Sequence, residues 1–586
     1  WEVWKGNYDR RSNEEFRWGR EGLTDVRPVC GPGERISEEE VEAAIGKMKL
    51  GKAAGPSGVV ADMLKAAGED GTRWMTELCN AVVRDGKIPE DWSRSWLVNV
   101  YKGKGDALEC GSYRGIKLVE HAMKILERVI ERRVRNIVKI DSMQFGFMAG
   151  KSTTDAIFIV RQLQEKYLAR NKELWMAFVD LEKAFDRVPR EVVWWALRCL
   201  GVDERIVSVI KAMYEDATTT VRVNGRESKA FSVRVGVHQG SVLSPLLFII
   251  VLEALSREFR EGLPMELLYA DDLVLVAETE ELLMEKLRKW KKGMELKGLR
   301  VNIGKTKVMR CQVRIGQAED SGKYPCGVCK QGVGDNSIKC VACHKWVHKR
   351  CSGISGRLGY VADFRCRRCL DGDSAQVVLT SEVELEPGVK VECVSKFCYL
   401  GDTLGSGGGV VEAARARVRC AWAKFKELSP ILTVRGASYR IKGRIYSACV
   451  QSVLIYGTET WAMKADDLRS LERTERMMVR WMCGVSLKDR RRSEDLCNLL
   501  GINCVADVVR RGRLRWFGHL ERKSVDDWVS ACRGLVVEGT RGRGRSRKTW
   551  EQCVRDDMKL LGLHPEWAVF RDMWRDLIWG KRLTLA

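Results

Sequence analysis

The chain has 586 residues, a formal net charge of +22 and 21 cysteines. That length exceeds what one hydrophobic core supports, so several domains are expected. The cationic surplus suits a phosphate-rich partner. Nothing reads as a signal peptide or a membrane span: the longest apolar stretch, 242–255, contains Pro245 and Glu253 and is too short to cross a bilayer. A nuclear or cytoplasmic setting follows, and so many cysteines, several at metal-ligand spacing, fit a reducing compartment.

In chain order, residues 1 to about 40 are polar and read as irregular. Residues 37–68 predict helices around a Gly/Ala/Pro loop at 51–58. That loop has Lys52 but lacks the Gly-Lys-Ser/Thr ending of a phosphate-binding P-loop, and that reading is rejected. Residues 120–136 predict a basic amphipathic helix. The apolar stretch 174–179 ends in Asp180. In the box 236–248, Gly240 lets a backbone approach a ligand closely and Gln239 can hydrogen-bond one.

The run Tyr269-Ala270-Asp271-Asp272 splits an apolar stretch, which predicts a β-hairpin with acids at its tip. Adjacent carboxylates at a tight turn repel each other, and a divalent cation neutralises them. An Asx-type turn is the plain alternative for the pair alone. Asp180, at the end of a second predicted strand, makes a two-metal site the better reading. Such a site aligns an attacking hydroxyl and stabilises a leaving pyrophosphate.

Further along, Cys326/Cys329, Cys340/Cys343, His348/Cys351 and Cys366/Cys369 form four pairs of ligands. Eight ligands suit two closed, structural Zn²⁺ sites whose binding energy would fold so small a segment. Residues 371–395 read as a linker, and the pattern is helical from about 410 onward. Arg510, Arg511, Arg513 and Arg515 precede Trp516 and Phe517, which predicts either a base-stacking, phosphate-gripping helix or an amphipathic helix that buries the two aromatics. Residues 541–548 carry five cations and no acid, as a basic loop that tracks phosphates would.

Taken together and in order, these boxes resemble those of non-LTR (LINE-type) retrotransposon reverse transcriptases. The resemblance covers roughly residues 45–405. Asp180 matches the family's first metal-binding acid, and Asp271 and Asp272 match its Y-A-D-D box. The segment 112–116 resembles its Y-R-P-I segment, with Arg114 kept and Gly115 in place of the usual Pro; a glycine there also permits a turn. Residues 144–155 resemble the fingers box, where Lys151 would face the triphosphate. Residues 236–248 resemble the template- and nucleotide-positioning box with Gln239 and Gly240. Residues 298–307 resemble the box after the catalytic hairpin, where Lys305 or Lys307 would protonate pyrophosphate. Residues 397–401 resemble the primer-grip turn.

The resemblance implies two catalytic Mg²⁺ ions held by Asp180 and Asp271, with Asp272 and the Leu181 carbonyl in support. Phe185 would exclude a 2′-hydroxyl, with a core aromatic as the alternative. Asp186 receives no role. The cysteine-rich segment resembles a PHD finger, whose interleaved pairing would give Cys326, Cys329, His348 and Cys351 to one zinc and Cys340, Cys343, Cys366 and Cys369 to the other. Trp346 would pack its core. Without an aromatic cage a structural, nucleic-acid-facing or protein-contact role is favoured over a histone tail as partner.

The expected fold class is α+β: a right-hand polymerase with fingers, an antiparallel palm sheet and a helical thumb. The expected division is a lead-in and the start of the fingers (1–100), fingers and palm (101–315), zinc finger (316–372), linker and primer-grip return (373–410), and helical thumb with basic extension (411–586). The expected function is an RNA-directed DNA polymerase using an RNA template, a DNA primer and dNTPs. An inactive copy that binds nucleic acid, or a chromatin-interaction protein built on the finger, are the alternatives. The first residue is not Met, so a fragment is expected, without the family's upstream nicking nuclease.

Overall fold

The computed structural model describes residues 2–31, 34–103, 105–312, 326–329, 333, 336–341, 345–354, 364–366, 369, 381–540 and 546–580. Two sheets organise the first two-thirds of the chain. In the smaller, β1 (Arg94–Tyr101) pairs antiparallel with β2 (Tyr113–Leu118) and parallel with β4 (Thr218–Val223). The short β5 (Arg226–Glu227) and β6 (Phe231–Ser232) pair with β4. The larger sheet has β3 (Leu174–Val179), β7 (Glu266–Tyr269), β8 (Asp272–Ala277), β9 (Lys307–Cys311), β12 (Ser381–Glu386) and β13 (Val389–Cys393). Its order is β12-β13-β9-β3-β8-β7.

β3 is buried at every position because both faces of its sheet are covered, which is why it reads as an unbroken apolar run. Trp175, Ala177 and Val179 join one core; Leu174, Met176 and Phe178 join the other. The first core takes in helices Arg190–Cys199, Ser244–Ser256 and Glu280–Glu295. The helix Ser244–Ser256 is apolar on all sides because it runs through this core, with Pro245 in its first turn, where no N–H is needed. The second core joins helix Thr153–Ala169 to the C-terminal helices Val505–Glu521, Trp550–Leu561 and Arg571–Ile578. A third core, between Val410 and Val509, belongs to a helical unit of its own that includes helices Val411–Leu432 and Ala465–Cys483. The region expected as one thumb with an extension is thus divided between two cores.

Several expectations change. Residues 2–13 are a helix, Glu2–Asn13, not irregular chain; its Tyr8 is buried against Leu97, Val221 and Phe231. Residues 381–393 are strands β12 and β13 of the large sheet rather than linker, and β13 lies parallel to β9, so the sheet is not wholly antiparallel. Alternation of Val383, Leu385 and Val391 into the first core explains the pairing. Gly115 sits inside β2, where a Cβ would lie 2.7 Å from the Tyr8 ring. Close packing, not a turn, requires glycine there. No helix among the described residues is long and apolar enough to cross a membrane.

Candidate active site

Two strands of the large sheet bring the acids together. Val179 pairs with Leu273, so Asp180, next after β3, lies beside the start of β8. The β7–β8 hairpin closes with Tyr269 opposite Asp272, leaving Ala270 and Asp271 as its two-residue turn. Ala270 has φ +55, the left-handed geometry such turns need. The carboxylates feel one another: burial first, then the charge of Asp180, raises the Asp271 pKa, and burial with Asp271 and Asp180 pushes Asp272 up to about 6. Asp180 Oδ2 is buried and accepts no hydrogen bond. The three carboxylates do not all lie within 4.8 Å of one another, unlike the cysteine groups described below. Asp271 and Asp272 are exposed at the turn and Asp180 is half-buried, so three neighbouring carboxylates stand open to hard divalent cations, which they fit.

The backbone around the acids is over-determined. Asn302 N–H donates to the Asp180 carbonyl (2.8 Å), and Thr306 N–H donates to the Asn302 carbonyl (2.8 Å). The other side of the site is held by Gln144, whose Oε1 accepts from Gly146 N–H (2.8 Å) and Ala270 N–H (3.0 Å). Phe145 N–H and the Leu268 carbonyl (2.8 Å) extend this pairing along β7. Gln144, Gly146, Asn302 and Thr306 escaped the sequence reading as supports of the acids. Their residue types were visible, but only the fold brings them to the turn.

Arg114 is exposed and lowers the Asp271 pKa by its charge, the last of the causes acting on that acid. Phe185 is half-buried, stacked on Phe248 at 4.3 Å and edge-on to Phe147 at 6.2 Å. Gln239 Nε2 donates to Asp186 Oδ1 (2.9 Å), which gives Asp186 the task of orienting Gln239. Gly240 has φ +117, and a Cβ there would lie 2.3 Å from the Lys117 carbonyl oxygen. Only glycine brings this loop onto β2. Leu181 lies opposite Val301 in a short bridge whose hydrogen bonds are made by its neighbours, Asn302 N–H to the Asp180 carbonyl and Glu182 N–H to the Arg300 carbonyl.

The lysines separate. Lys305 Nζ is 3.5 Å from Asp180 Oδ2, while Lys307 Nζ donates to the Gly304 carbonyl (2.6 Å) and pairs with Glu392 (2.9 Å). Lys151, expected toward the triphosphate, folds back to donate to the Ser142 (2.6 Å) and Gln144 (2.9 Å) carbonyls. The 397–401 turn is the tip of a hairpin, β14 (Lys396–Tyr399) with β15 (Asp402–Gly405). It packs on the large sheet through Phe178 and Phe397, stacked at 4.2 Å.

The C-terminal aromatics are not a stacking platform. Trp516 and Phe517 are buried in the second core, Arg513 pairs with Asp557 (2.7 Å), and Arg510 pairs with Asp507 (2.7 Å). Of the basic loop, residues 541–545 lie outside the described residues; Arg547 donates to the Gly407 carbonyl (2.6 Å) and Lys548 pairs with Asp556.

A second centre is formed by the cysteines. Cys326, Cys329, His348 and Cys351 gather their ligand atoms within 4.8 Å, and so do Cys340, Cys366 and Cys369; Cys343 lies outside the described residues. Cys329 Sγ is 3.4 Å and Cys351 Sγ 3.8 Å from His348 Nδ1, and Cys340 and Cys369 Sγ are 4.0 Å apart. Tetrahedral zinc with bonds of about 2.0–2.3 Å spaces its ligands similarly, so both groups can hold zinc. His348 ends β11 (Trp346–His348), paired with β10 (Ser337–Lys339). Ile338, Val347 and Phe364 are buried in the small core; Trp346 is half-buried and lies opposite Lys339 on the paired strand. The cysteine-rich segment interrupts the large sheet in sequence, since it lies between β9 and β12.

Comparison with known proteins agrees with this geometry. Residues 101–339 match the family model described as reverse transcriptase (RNA-dependent DNA polymerase). The chain is 27% identical over 287 residues to the Retrovirus-related Pol polyprotein from type-1 retrotransposable element R2 of Popillia japonica, covering 46% of this chain and 39% of that one. It is 24% identical over 467 residues to the Probable RNA-directed DNA polymerase from transposon BS of Drosophila melanogaster, covering 78% and 45%. It is 24% identical over 300 residues to the RNA-directed DNA polymerase from mobile element jockey of Drosophila funebris, covering 49% and 33%. The chain thus spans less than half the length of these curated relatives.

Proposed function

We propose that this chain is the RNA-directed DNA polymerase of a non-LTR retrotransposon, extending a DNA primer on an RNA template with dNTPs. The observation that carries this reading is the convergence of Asp180 and the Asp271–Asp272 turn at adjoining strand ends of the large sheet, where desolvation and neighbouring acids raise the pKa of Asp271 and Asp272. The matched family and the printed names of the relatives point the same way.

Asp180 and Asp271 would hold two Mg²⁺ ions, with Asp272 beside them. When bound, these ions polarise the primer hydroxyl and neutralise the triphosphate. The chain itself supplies alignment. Gln144 and Asn302 fix the backbones that carry the acids, Asp186 orients Gln239 toward the nucleotide, and Phe185 walls the sugar. Lys305, beside Asp180, is the lysine placed to give a proton to the leaving pyrophosphate.

The cysteine-rich segment is read as a PHD-type finger with two structural zinc ions in the interleaved pairing, Cys343 completing the second set. Its cations favour nucleic acid over a histone tail as the partner: Lys339, Lys345 and Arg365 are exposed, and no ion pair to a carboxylate is formed by them among the described residues. Extension of an annealed DNA primer on RNA with Mg²⁺ and dNTPs tests the polymerase reading. Folded protein that binds the duplex without extending it would instead indicate a binding remnant.

A further inference from the structure

We infer that Phe147 is a nucleotide-contacting, specificity-determining residue: its ring forms the outer wall of the pocket for the incoming nucleotide. This rests on the polymerase reading above and adds a residue to its site. Phe147 is 45% exposed, although phenylalanine is among the residues most often fully buried. Its backbone is left-handed, φ +57, a conformation that costs a bulky residue energy and persists only where the surroundings enforce it.

The enforcing contacts are those that hold the catalytic turn. Gly146 and Ala270 share the Gln144 Oε1 acceptor. A Cβ on Gly146 would lie 2.3 Å from the Ala270 nitrogen, so the loop touches the turn backbone directly. Arg135 Nη2 donates to the Phe147 carbonyl (3.1 Å) from the other side. Phe147 is therefore fixed relative to Asp271, one residue beyond Ala270.

The ring also ends an aromatic column. Phe248 is fully buried, Phe185 stacks on it, and Phe147 meets Phe185 edge-on with an interplanar angle of 76°. The column passes from the core to solvent at the acids. No aromatic contact beyond Phe185 is formed by Phe147 among the described residues. A flat apolar face, strained and held open beside phosphate-directed metal sites, is complementary to the base or ribose of a nucleoside triphosphate whose phosphates lie on the acids.

The test uses the full chain with a dideoxy-terminated primer on RNA, measuring dNTP affinity in the ternary complex, with extension of a normal primer measured in parallel. Phe147→Gly relieves the backbone and removes the ring. It is expected to weaken dNTP binding about tenfold or more, in line with the loss of one stacking contact. Its melting temperature is expected not to fall, because glycine adopts φ +57 at no steric cost. Phe147→Tyr, which keeps the ring, is expected to restore affinity. Unchanged dNTP affinity in Phe147→Gly overturns the inference, as does weakened affinity accompanied by a lower melting temperature and no rescue by Phe147→Tyr. Wild-type protein that binds dNTP but does not extend contradicts the polymerase reading, and the affinity comparison still decides Phe147. Wild-type protein that does neither overturns both.

Discussion

The Lys305 ammonium lies 3.5 Å from Asp180 Oδ2, the buried carboxylate oxygen that accepts no hydrogen bond. Lys307, two residues on, points elsewhere, tied to Gly304 and Glu392. The pair therefore has unequal chemistry. A positioned general acid contributes about 10²–10⁴-fold to rate. Lys305→Ala is expected to slow single-turnover nucleotide addition by about 10²-fold or more, and Lys307→Ala to change it by less than about threefold. Equal losses in the two variants would remove Lys305 from this role.

The carboxylates make stability depend on pH and on metal. Burial and mutual repulsion raise the folded-state pKa of Asp271, and that of Asp272 to about 6. A carboxyl raised in this way binds more protons folded than unfolded. Metal-free stability must then fall as pH rises from the ordinary carboxylate range through about 6. Mg²⁺ binds the ionised form, so it is expected to raise the melting temperature clearly at about pH 7.5 and little at about pH 5. Asp272→Asn is expected to stabilise the metal-free protein at the higher pH. A Mg²⁺ shift of equal size at both pH values would contradict this account of the site.

Arg161 and Asp402 join helix Thr153–Ala169 to the β14–β15 hairpin. The side chains are 6% and 0% exposed, and Arg161 Nε donates to Asp402 Oδ2 at 2.7 Å. Trp461 Nε1 donates to the same oxygen (3.3 Å), so the third core is tied in as well. Removing one partner leaves a buried charge unpaired, a loss of about 3–5 kcal/mol. Asp402→Ala is expected to lower the denaturant midpoint accordingly, whereas the double replacement by apolar residues costs less. A loss below about 1 kcal/mol in the single variant would mean that water reaches the pair.

What the sequence revealed and what it hid follow from the range of the interactions. The acids, the hairpin at 269–272 and the strand before Asp180 are local patterns of apolar period and turn chemistry, and they appear where expected. The structure also gathers Cys326, Cys329, His348 and Cys351, a grouping that the finger resemblance implied and ligand spacing alone did not. Long-range packing was illegible. Tyr8 seats a polar-looking N-terminal helix against Gly115, 107 positions later in the numbering only by virtue of the fold. Ser381–Glu386 and Val389–Cys393 look like linker because Glu and Gly dilute a strand pattern whose partner, β9, precedes the cysteine-rich segment. The Arg-rich run before Trp516 allows either a phosphate grip or a helix burying its aromatics; Asp557 and the second core, both distant in sequence, decide for the buried helix.

Zinc content separates the two cysteine groups. Cys326→Ser and Cys340→Ser are each expected to lose one of two zinc equivalents first, measured by chelator-competed release, with local unfolding of the segment. Extension of a pre-annealed primer is expected to survive, since the segment leaves the sheet after β9 and rejoins it at β12. Two equivalents retained in either variant would refute the ligand assignment.

The most direct measurement of the central claim is primer extension on an RNA template with Mg²⁺, comparing the chain with Asp271→Asn. This change removes one carboxylate oxygen's charge and keeps the shape of the turn. Extension by the wild type, abolished in Asp271→Asn while the two proteins bind the primer–template equally, is the predicted result. Extension that survives Asp271→Asn would contradict the assignment of the 180/271/272 carboxylates as the catalytic centre.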